Sequence, residues 1–363
     1  MNTVPSNSMK PNLIILKREL SVYNVPVYNE ITKFFNLTVA YHTADKSRDN
    51  CSFKKIKLEP HHFGPFVWIK NLRKLTSQFD IVCFSSDLHE LSFCLLPFLP
   101  RKNKVVNWSI GFSVSYTHPY KPYRKHTFKD RVLQMVLNKC DASIFYMDKA
   151  KEFWKGTSLD LGRVFVAPNT AQIEDVAFIP DIKTNFLFVG TLYKGKGVDV
   201  LLNAFEQALK DTGKDARLVV IGDGEMRPVI EQHIKVHNLQ DSVKLLGSIY
   251  DETRLAEEFQ KALLCISPNQ GGLSCPKSMG YGVPFVCQRD AITGGEIYHI
   301  TNGINGIIYD TYDDLVNILK DAIQSPQRYI DMGLEAKHYY ENNATISHMA
   351  NGAIQAFNYA LSH

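Results

Sequence analysis

Between Ala262 and Cys287 the chain runs through four segments in a fixed order. An apolar run (Ala262–Ile266) leads into a glycine-bearing turn (Ser267–Gly272). A short stretch of small residues, ending near Gly280, is followed by a second apolar run (Val283–Cys287). Apolar runs of this length with no alternation read as strands buried on both faces. The small-residue stretch between them reads as a short helix. A strand, a glycine turn and a helix start together present backbone N–H groups and the positive end of a dipole, which suits an anion.

The same strand-then-helix rhythm extends over the whole chain. In the first half, strands are expected at 12–16, 37–41, 80–85, 104–110, 141–146 and 164–166, with helices at 26–35, 66–75, 88–96 and 129–137. A second series starts at Asn185. Its strands are expected at 185–189, 216–221, 243–246, 263–266 and 307–308, and its helices at 198–209, 226–237, 252–260 and 312–324. Alternation of this kind predicts parallel sheets covered on both faces, hence an α/β chain of two Rossmann-like domains. Pro168-Asn169-Thr170 and Pro180-Asp181 punctuate the junction. The expected division is 1–172, 173–345, and a terminal helix within 346–363. The first strand leads into Lys17-Arg18-Glu19-Leu20, without the glycines of a dinucleotide-binding turn, which argues against a nicotinamide dehydrogenase.

Composition narrows the function classes. Apolar residues make up 45% of the 363 and charged residues 21%, a soluble globular balance. Seven cysteines form no CxxC pair, and several fall inside apolar strands, as buried thiols of a reducing compartment do. No apolar run reaches the roughly 20 residues of a membrane-spanning helix. The first eight residues lack the layout of a signal peptide. The expected location is cytoplasmic, at the inner face of a membrane. Residues 1–180 carry 25 Lys/Arg against 15 Asp/Glu, while the remainder carries 16 against 22. A basic half facing a polyanion, a phospholipid surface or a lipid pyrophosphate would account for this, as would a plain lysine-rich solvated surface. In the segment 116–131, Tyr120, Tyr123 and Phe128 are interleaved with Lys121, Arg124, Lys125, Lys129 and Arg131. That mixture suits peripheral membrane contact or an anionic acceptor. No nucleic-acid motif accompanies it.

The run Ser267–Val286 resembles the donor-site segment of nucleotide-sugar glycosyltransferases of the GT-B fold, specifically the retaining family 4 (glycosyl transferases group 1). There a Ser-Pro, a Glu, glycines, a second Glu and Ala-Met-x-x-Gly-x-Pro-Val follow one another. Three further segments fit in order: Val189-Gly190-Thr191-Leu192-Tyr193-Lys194-Gly195-Lys196-Gly197, Ile221-Gly222-Asp223-Gly224, and Leu246-Gly247-Ser248. The resemblance covers roughly residues 185–325. It implies two facing Rossmann-like domains with a cleft between them, the first for the acceptor and the second for the donor, and a C-terminal helix crossing back to the first. It also implies transfer of a sugar from a nucleoside diphosphate to a saccharide, with retention. A lipid-linked acceptor in bacterial surface-polysaccharide assembly (capsule or O-antigen) is the setting expected.

Carried over by position, Lys196 matches the family's diphosphate-gripping lysine, while Thr191 stands where the family has its arginine and Lys194 is a substitute for it. Gly190, Gly247 and Ser248 are expected to flank the nucleotide, with Gly271, Gly272, Leu273 and Ser274 at the anion-binding turn. The family's first Glu falls on Asn269 or Gln270, and Gln270 can hydrogen-bond sugar hydroxyls without supplying charge. The second falls on Lys277, which cannot accept from a ribose and would bind phosphate or form a structural ion pair. Glu296, in Thr293-Gly294-Gly295-Glu296-Ile297, is the carboxylate that could restore an acid to the site, or a solvated loop residue. Lys196, Gln270 and Glu296 are the catalytic candidates. Trp108 and His118 are the acceptor-side candidates. No cofactor is expected, and no metal, since no Asp-x-Asp occurs to hold a metal diphosphate. The alternatives are a non-catalytic homologue serving as a partner protein and a sugar-nucleotide epimerase or hydrolase.

Overall fold

The computed structural model describes residues 10–47, 50–112 and 126–363. It separates into two compact units, dividing at Pro168/Asn169 and again at Thr345/Ile346, with the last segment returning to the first unit.

The first unit contains strands β1 (Asn12–Lys17), β2 (Asn36–Tyr41), β3 (Lys54–Lys57), β4 (Pro60–Phe63), β5 (Phe66–Ile69), β6 (Ile81–Phe84), β7 (Lys104–Ser109), β8 (Ala142–Phe145) and β9 (Val164–Val166). Seven of them form one parallel sheet in the order β3-β2-β1-β6-β7-β8-β9. Helices α1 (Val25–Ile31), α2 (Leu72–Thr76), α3 (Leu91–Leu95), α4 (Phe128–Lys139) and α5 (Asp148–Trp154) lie between them. Side chains of a strand alternate between faces, and both faces of β1 are dry. Leu13 and Ile15 pack on one side with α1, while Ile14 and Leu16 pack on the other with α2, α3 and α4.

The expected helix over 66–75 is a correction. Phe66–Ile69 is a strand in an antiparallel hairpin with β4, and the helix begins only at Leu72. Gly64 turns the chain with φ 57°, and Asn71 breaks it again with φ 58°. Phe66 and Trp68 face out while Val67 and Ile69 face in, the period of two that marks a strand.

In the second unit are β10 (Asn185–Val189), β11 (Arg217–Ile221), β12 (Val243–Gly247), β13 (Ala262–Ile266), β14 (Gln270–Gly271), β15 (Phe285–Gln288), β16 (Ile292–Thr293) and β17 (Gly306–Tyr309). The parallel sheet runs β12-β11-β10-β13-β15-β17, and β14 pairs with β16 beside it. Its helices are α6 (Val198–Thr212), α7 (Arg227–Val236), α8 (Glu252–Gln260), α9 (Ser274–Gly280), α10 (Tyr312–Gln324) and α11 (Gln327–Asn343). Phe186 and Phe188 of β10 pack with α6, α7 and α10, and Leu187 packs with α8, α9 and α11.

The final helix, α12 (Ile346–Ser362), belongs to the first unit and lies on the same face of its sheet as α1. Small residues (Ala350, Ala353, Ala356, Ala360) bring it close. At Gly352 a Cβ would stand 2.0 Å from the Val166 carbonyl oxygen, so only glycine allows this approach.

Candidate functional site in the second unit

The chain order β10, β11, β12 runs outward on one side of β10, and β13 begins the other side. The reversal creates a crevice beyond the carboxyl ends of β10 and β13, where open α/β sheets bind ligands. Two loops flank it: Gly190–Gly197 after β10 and Ser267–Leu273 after β13.

Backbone contacts hold the first loop. The Gly190 N–H donates to the Ile221 carbonyl (2.9 Å), Leu192 N–H to Asp223 (3.0 Å), and Gly222 N–H to Gly247 (2.9 Å). Gly222 has φ 144°, and a Cβ there would meet the Gly190 carbonyl oxygen at 1.9 Å. The Gly-Asp-Gly run is therefore what lets neighbouring strand ends touch through their main chains.

Lys196 closes a 3₁₀ turn (Lys194–Lys196), and its half-buried ammonium reaches back to Gly190, 3.5 Å from where a Cβ would stand. No ion-pair partner lies within 4 Å of it among the described residues. Burial pushes the Lys196 ammonium below its ordinary pKa, and the Glu296 carboxylate works against that. Thr191 and Lys194 are exposed on the same loop.

Glu296 opens a 3₁₀ turn (Glu296–His299) and is buried rather than solvated. It accepts hydrogen bonds from Asn169 Nδ2 (2.7 Å), Thr293 Oγ1 (2.9 Å) and the Gly294 N–H (2.7 Å). Burial raises its pKa, and those bonds pull it back. His299 contacts the Asn169 carbonyl oxygen through Nε2 (3.0 Å), and burial lowers its pKa, which favours the neutral ring as donor.

Gln270 is half-buried, and its side-chain oxygen accepts from the Tyr193 hydroxyl. Asn269 N–H reaches the Lys196 carbonyl (3.4 Å), and a Cβ on Gly197 would meet the Asn269 side chain at 2.7 Å. The two loops thus brace one another. Gly271 packs on Ile297, whereas Gly272 faces open space; Leu273 and Ser274 are half-buried at the start of the seven-residue α9. Gly247 ends β12 with φ 71°, and Ser248 after it is exposed. The Lys277 ammonium is held in an ion pair by Glu252 of α8.

The structure therefore gathers Gly190, Lys196, Gln270 and Glu296 around one crevice, while Lys277 is engaged elsewhere. Trp108 requires correction as a surface acceptor contact. Strand alternation turns its indole toward α1 and α12, where it packs edge-on against Tyr28 and Phe357 at 6% exposure. His118 lies outside the described residues. Asn169 and Tyr193 were missed. Tyr193 sits in the loop already singled out, but Asn169 meets Glu296 across 127 residues of chain, and nothing local signals that pairing.

Comparison with known proteins adds to this geometry. Residues 170–343 match the family model for glycosyl transferases group 1. The chain is 28% identical over 170 residues to the uncharacterized glycosyltransferase MJ1607 of Methanocaldococcus jannaschii, covering 46% of this chain and 40% of that protein. The match thus spans about two fifths of that curated relative's length. Among solved structures, Anabaena Alr3699/HepE in complex with UDP is similar with a TM-score of 0.69 at 12% identity, over 96% of this chain and 99% of that one. WaaG, a glycosyltransferase involved in lipopolysaccharide biosynthesis, is similar with a TM-score of 0.63 at 14% identity, over 94% and 98%. At these identities the likeness is one of fold, and that fold is GT-B.

Proposed function

We propose, from the match of residues 170–343 to the family model for glycosyl transferases group 1 and from the GT-B fold, that the chain is a retaining glycosyltransferase. It takes a sugar from a uridine diphosphate donor and passes it to a saccharide acceptor. The observation that carries this reading is Lys196: a half-buried ammonium with no ion-pair partner within 4 Å among the described residues, set against glycine backbone at the β10/β13 reversal. An unpaired cation in that position is costly unless an anion arrives, and a diphosphate is the anion that such a loop admits. The choice of uridine follows the neighbour that holds UDP.

In the reaction, the bond between the sugar C1 and the diphosphate oxygen breaks as a bond from the acceptor hydroxyl oxygen to C1 forms on the same face. The acceptor proton passes to a departing phosphate oxygen. Lys196 and the backbone around Gly190 and Gly272 neutralise the developing charge on the leaving group. Gln270, steadied by Tyr193, and Glu296, steadied by Asn169 and Thr293, orient the sugar. No metal enters this scheme.

On the acceptor side, the basic surplus of residues 1–180 favours an anionic, lipid-linked saccharide. The β4–β5 hairpin exposes Phe63, Phe66 and Trp68 and packs beside α3, whose continuation exposes Leu95, Phe98 and Leu99 next to Arg101 and Lys102. Apolar and aromatic groups rimmed by cations suit contact with an anionic bilayer.

Calorimetric titration with UDP, GDP, TDP and CMP tests the donor reading. The expected result is micromolar binding of UDP that falls at least about tenfold in Lys196→Ala, about 1.4 kcal/mol. Absence of binding to all four defeats it. The engagement of Lys277 by Glu252 and the uncharged Gln270 favour a second reading, a homologue that binds nucleotide without transfer. Tight UDP binding with no release of UDP from any UDP-sugar would select it.

A further inference from the structure

We propose that the second unit holds a divalent transition-metal site, best suited to zinc, formed by Glu206 of α6 with His233 and His237 of α7. The three side chains each offer one ligand atom, and those atoms all lie within 4.8 Å of one another. His233 and His237 are four residues apart on adjoining turns, so they share a helix face, and their rings stack at 4.2 Å and 9°. Glu206 is buried and turned toward them. His237 Nδ1 lies 2.9 Å from its carboxylate, and His233 Nε2 lies 3.6 Å away, too far for a hydrogen bond.

Two features separate this cluster from an ordinary ion-pair network. The His233 Nε2 is shielded from solvent and has no hydrogen-bond partner among the described residues, a state that buried nitrogen atoms rarely keep. The 3.6 Å between Glu206 and His233 is also the spacing of two ligands on one ion, while His237 is hydrogen-bonded to the same carboxylate. Donors about 2.0–2.1 Å from a tetrahedral zinc stand roughly 3.4 Å apart, and a cation between Glu206 and His233 would bring each within reach without moving a helix. Imidazole and carboxylate donors suit zinc, with a water completing four-coordination. Lys210 pairs at 2.5 Å with Glu206 Oε1, which His237 also contacts, leaving Oε2 toward His233; its ammonium is two-thirds exposed, free to stay or swing away. Ile230 and Ile234 of α7 and Phe205 and Ala208 of α6 form the apolar wall behind the cluster.

A metal here ties α6 to α7. Each of these helices begins just after a strand-end loop of the donor crevice, α6 after Gly197 and α7 after Gly224. Glu206 lies eight residues into α6, about 12 Å along its axis. The metal therefore braces the helices and takes no part in the sugar-transfer step, and the site stands whether or not the chain is a transferase.

The test uses the full, untagged chain stripped with chelator and titrated with zinc chloride by calorimetry, then with cobalt(II) by visible absorption. The expected result is one zinc per chain, a tetrahedral cobalt spectrum, and a zinc-dependent rise in Tm. His233→Asn should weaken zinc binding at least about tenfold and abolish the cobalt band. His61→Asn/His62→Asn, on the exposed hairpin, should change neither. Glu206→Gln keeps a hydrogen bond to His237 and serves as the second variant if His233→Asn folds poorly by circular dichroism. Failure of the wild type to saturate with zinc, or one-to-one binding unchanged in His233→Asn and Glu206→Gln, overturns the proposal.

Discussion

The two units solve the same geometric problem with different materials. Both sheets reverse their strand order beside their first strand, β1/β6 in one and β10/β13 in the other. In the second unit the reversal is lined largely by main chain. Gly190 and Gly222 abut through their backbones, and one ammonium, Lys196, stands over them. In the first unit the strand ends carry side chains instead. Lys17 ends β1 without a partner among the described residues, and burial lowers its pKa. His42, after β2, is hydrogen-bonded through Nε2 to both oxygens of buried Glu90 (3.0 Å each). His42 Nδ1, Ser86 Oγ, Asn107 Oδ1 and Trp108 Nε1 are buried without hydrogen-bond partners among the described residues. Main chain reads a group that every donor shares, a diphosphate; side chains can be exchanged to suit one acceptor. On the proposed function, the contrast is between a generic donor half and a particular acceptor half.

The contrast predicts where substitutions hurt and how. The largest effect on stability belongs to the first unit: His42→Ala strands the Glu90 carboxylate and should cost about 3–5 kcal/mol in urea unfolding. A cost under about 1 kcal/mol would show that the pair is not an enclosed structural unit. Gly222→Ala comes next. The new Cβ meets a carbonyl oxygen, so the loops must part, at about 3 kcal/mol and with loss of UDP affinity. Gly64→Ala, where φ is also positive but space is open, should cost only about 1 kcal/mol. Unequal losses at these two glycines confirm that close approach, and not turn conformation alone, defines the second unit's strand ends.

Lys196→Ala should leave unfolding almost unchanged while removing nucleotide binding, since the ammonium has no direct ion pair to lose among the described residues. Its lowered pKa also sets a pH effect. Between the folded value and the unfolded value of 10.5, the unfolded chain binds the extra proton, so wild-type stability rises with pH there. UDP affinity should fall over the same alkaline range as the cation is lost, and Lys196→Met should flatten both curves. The smallest effect is that of Glu296→Gln. The carboxyl pKa is raised, so its contribution to stability is complete below the unfolded value of 4.5 and lost as pH rises through the folded value. The variant should therefore gain relative to wild type on going from pH 4 to pH 7. A pH-independent difference would mean that Glu296 is less enclosed than its partners indicate.

Much of the second unit's candidate crevice is legible because its demands are local. Gly222 and Gly247 adopt backbone that other residues resist, and Lys196 follows at a fixed offset within the same loop. The second strand of the hairpin lies in the stretch 66–75 expected as helix, although an alternation of exposed and buried residues is present in Phe66-Val67-Trp68-Ile69. There an apolar, aromatic-rich stretch obscured the period of two. Trp108 was misplaced for a related reason: the strand was correctly found, but which face one residue takes depends on register, and a shift of one residue reverses it. The Glu206–His233–His237 cluster was half visible as two histidines four apart, and its third member sits 27 residues earlier on another helix.

The sequence by itself determined the two α/β series, the strands within them and the glycine loops, because apolar runs and left-handed backbone are properties of neighbouring residues. Tertiary structure alone decided that Asn169 would hold Glu296, that Glu252 would take up Lys277, and that Trp108 would pack between α1 and α12. Those pairings join residues far apart in the chain. Their energy comes from shared burial and from satisfying polar groups that have left water, and that requirement exists only once the sheets have formed.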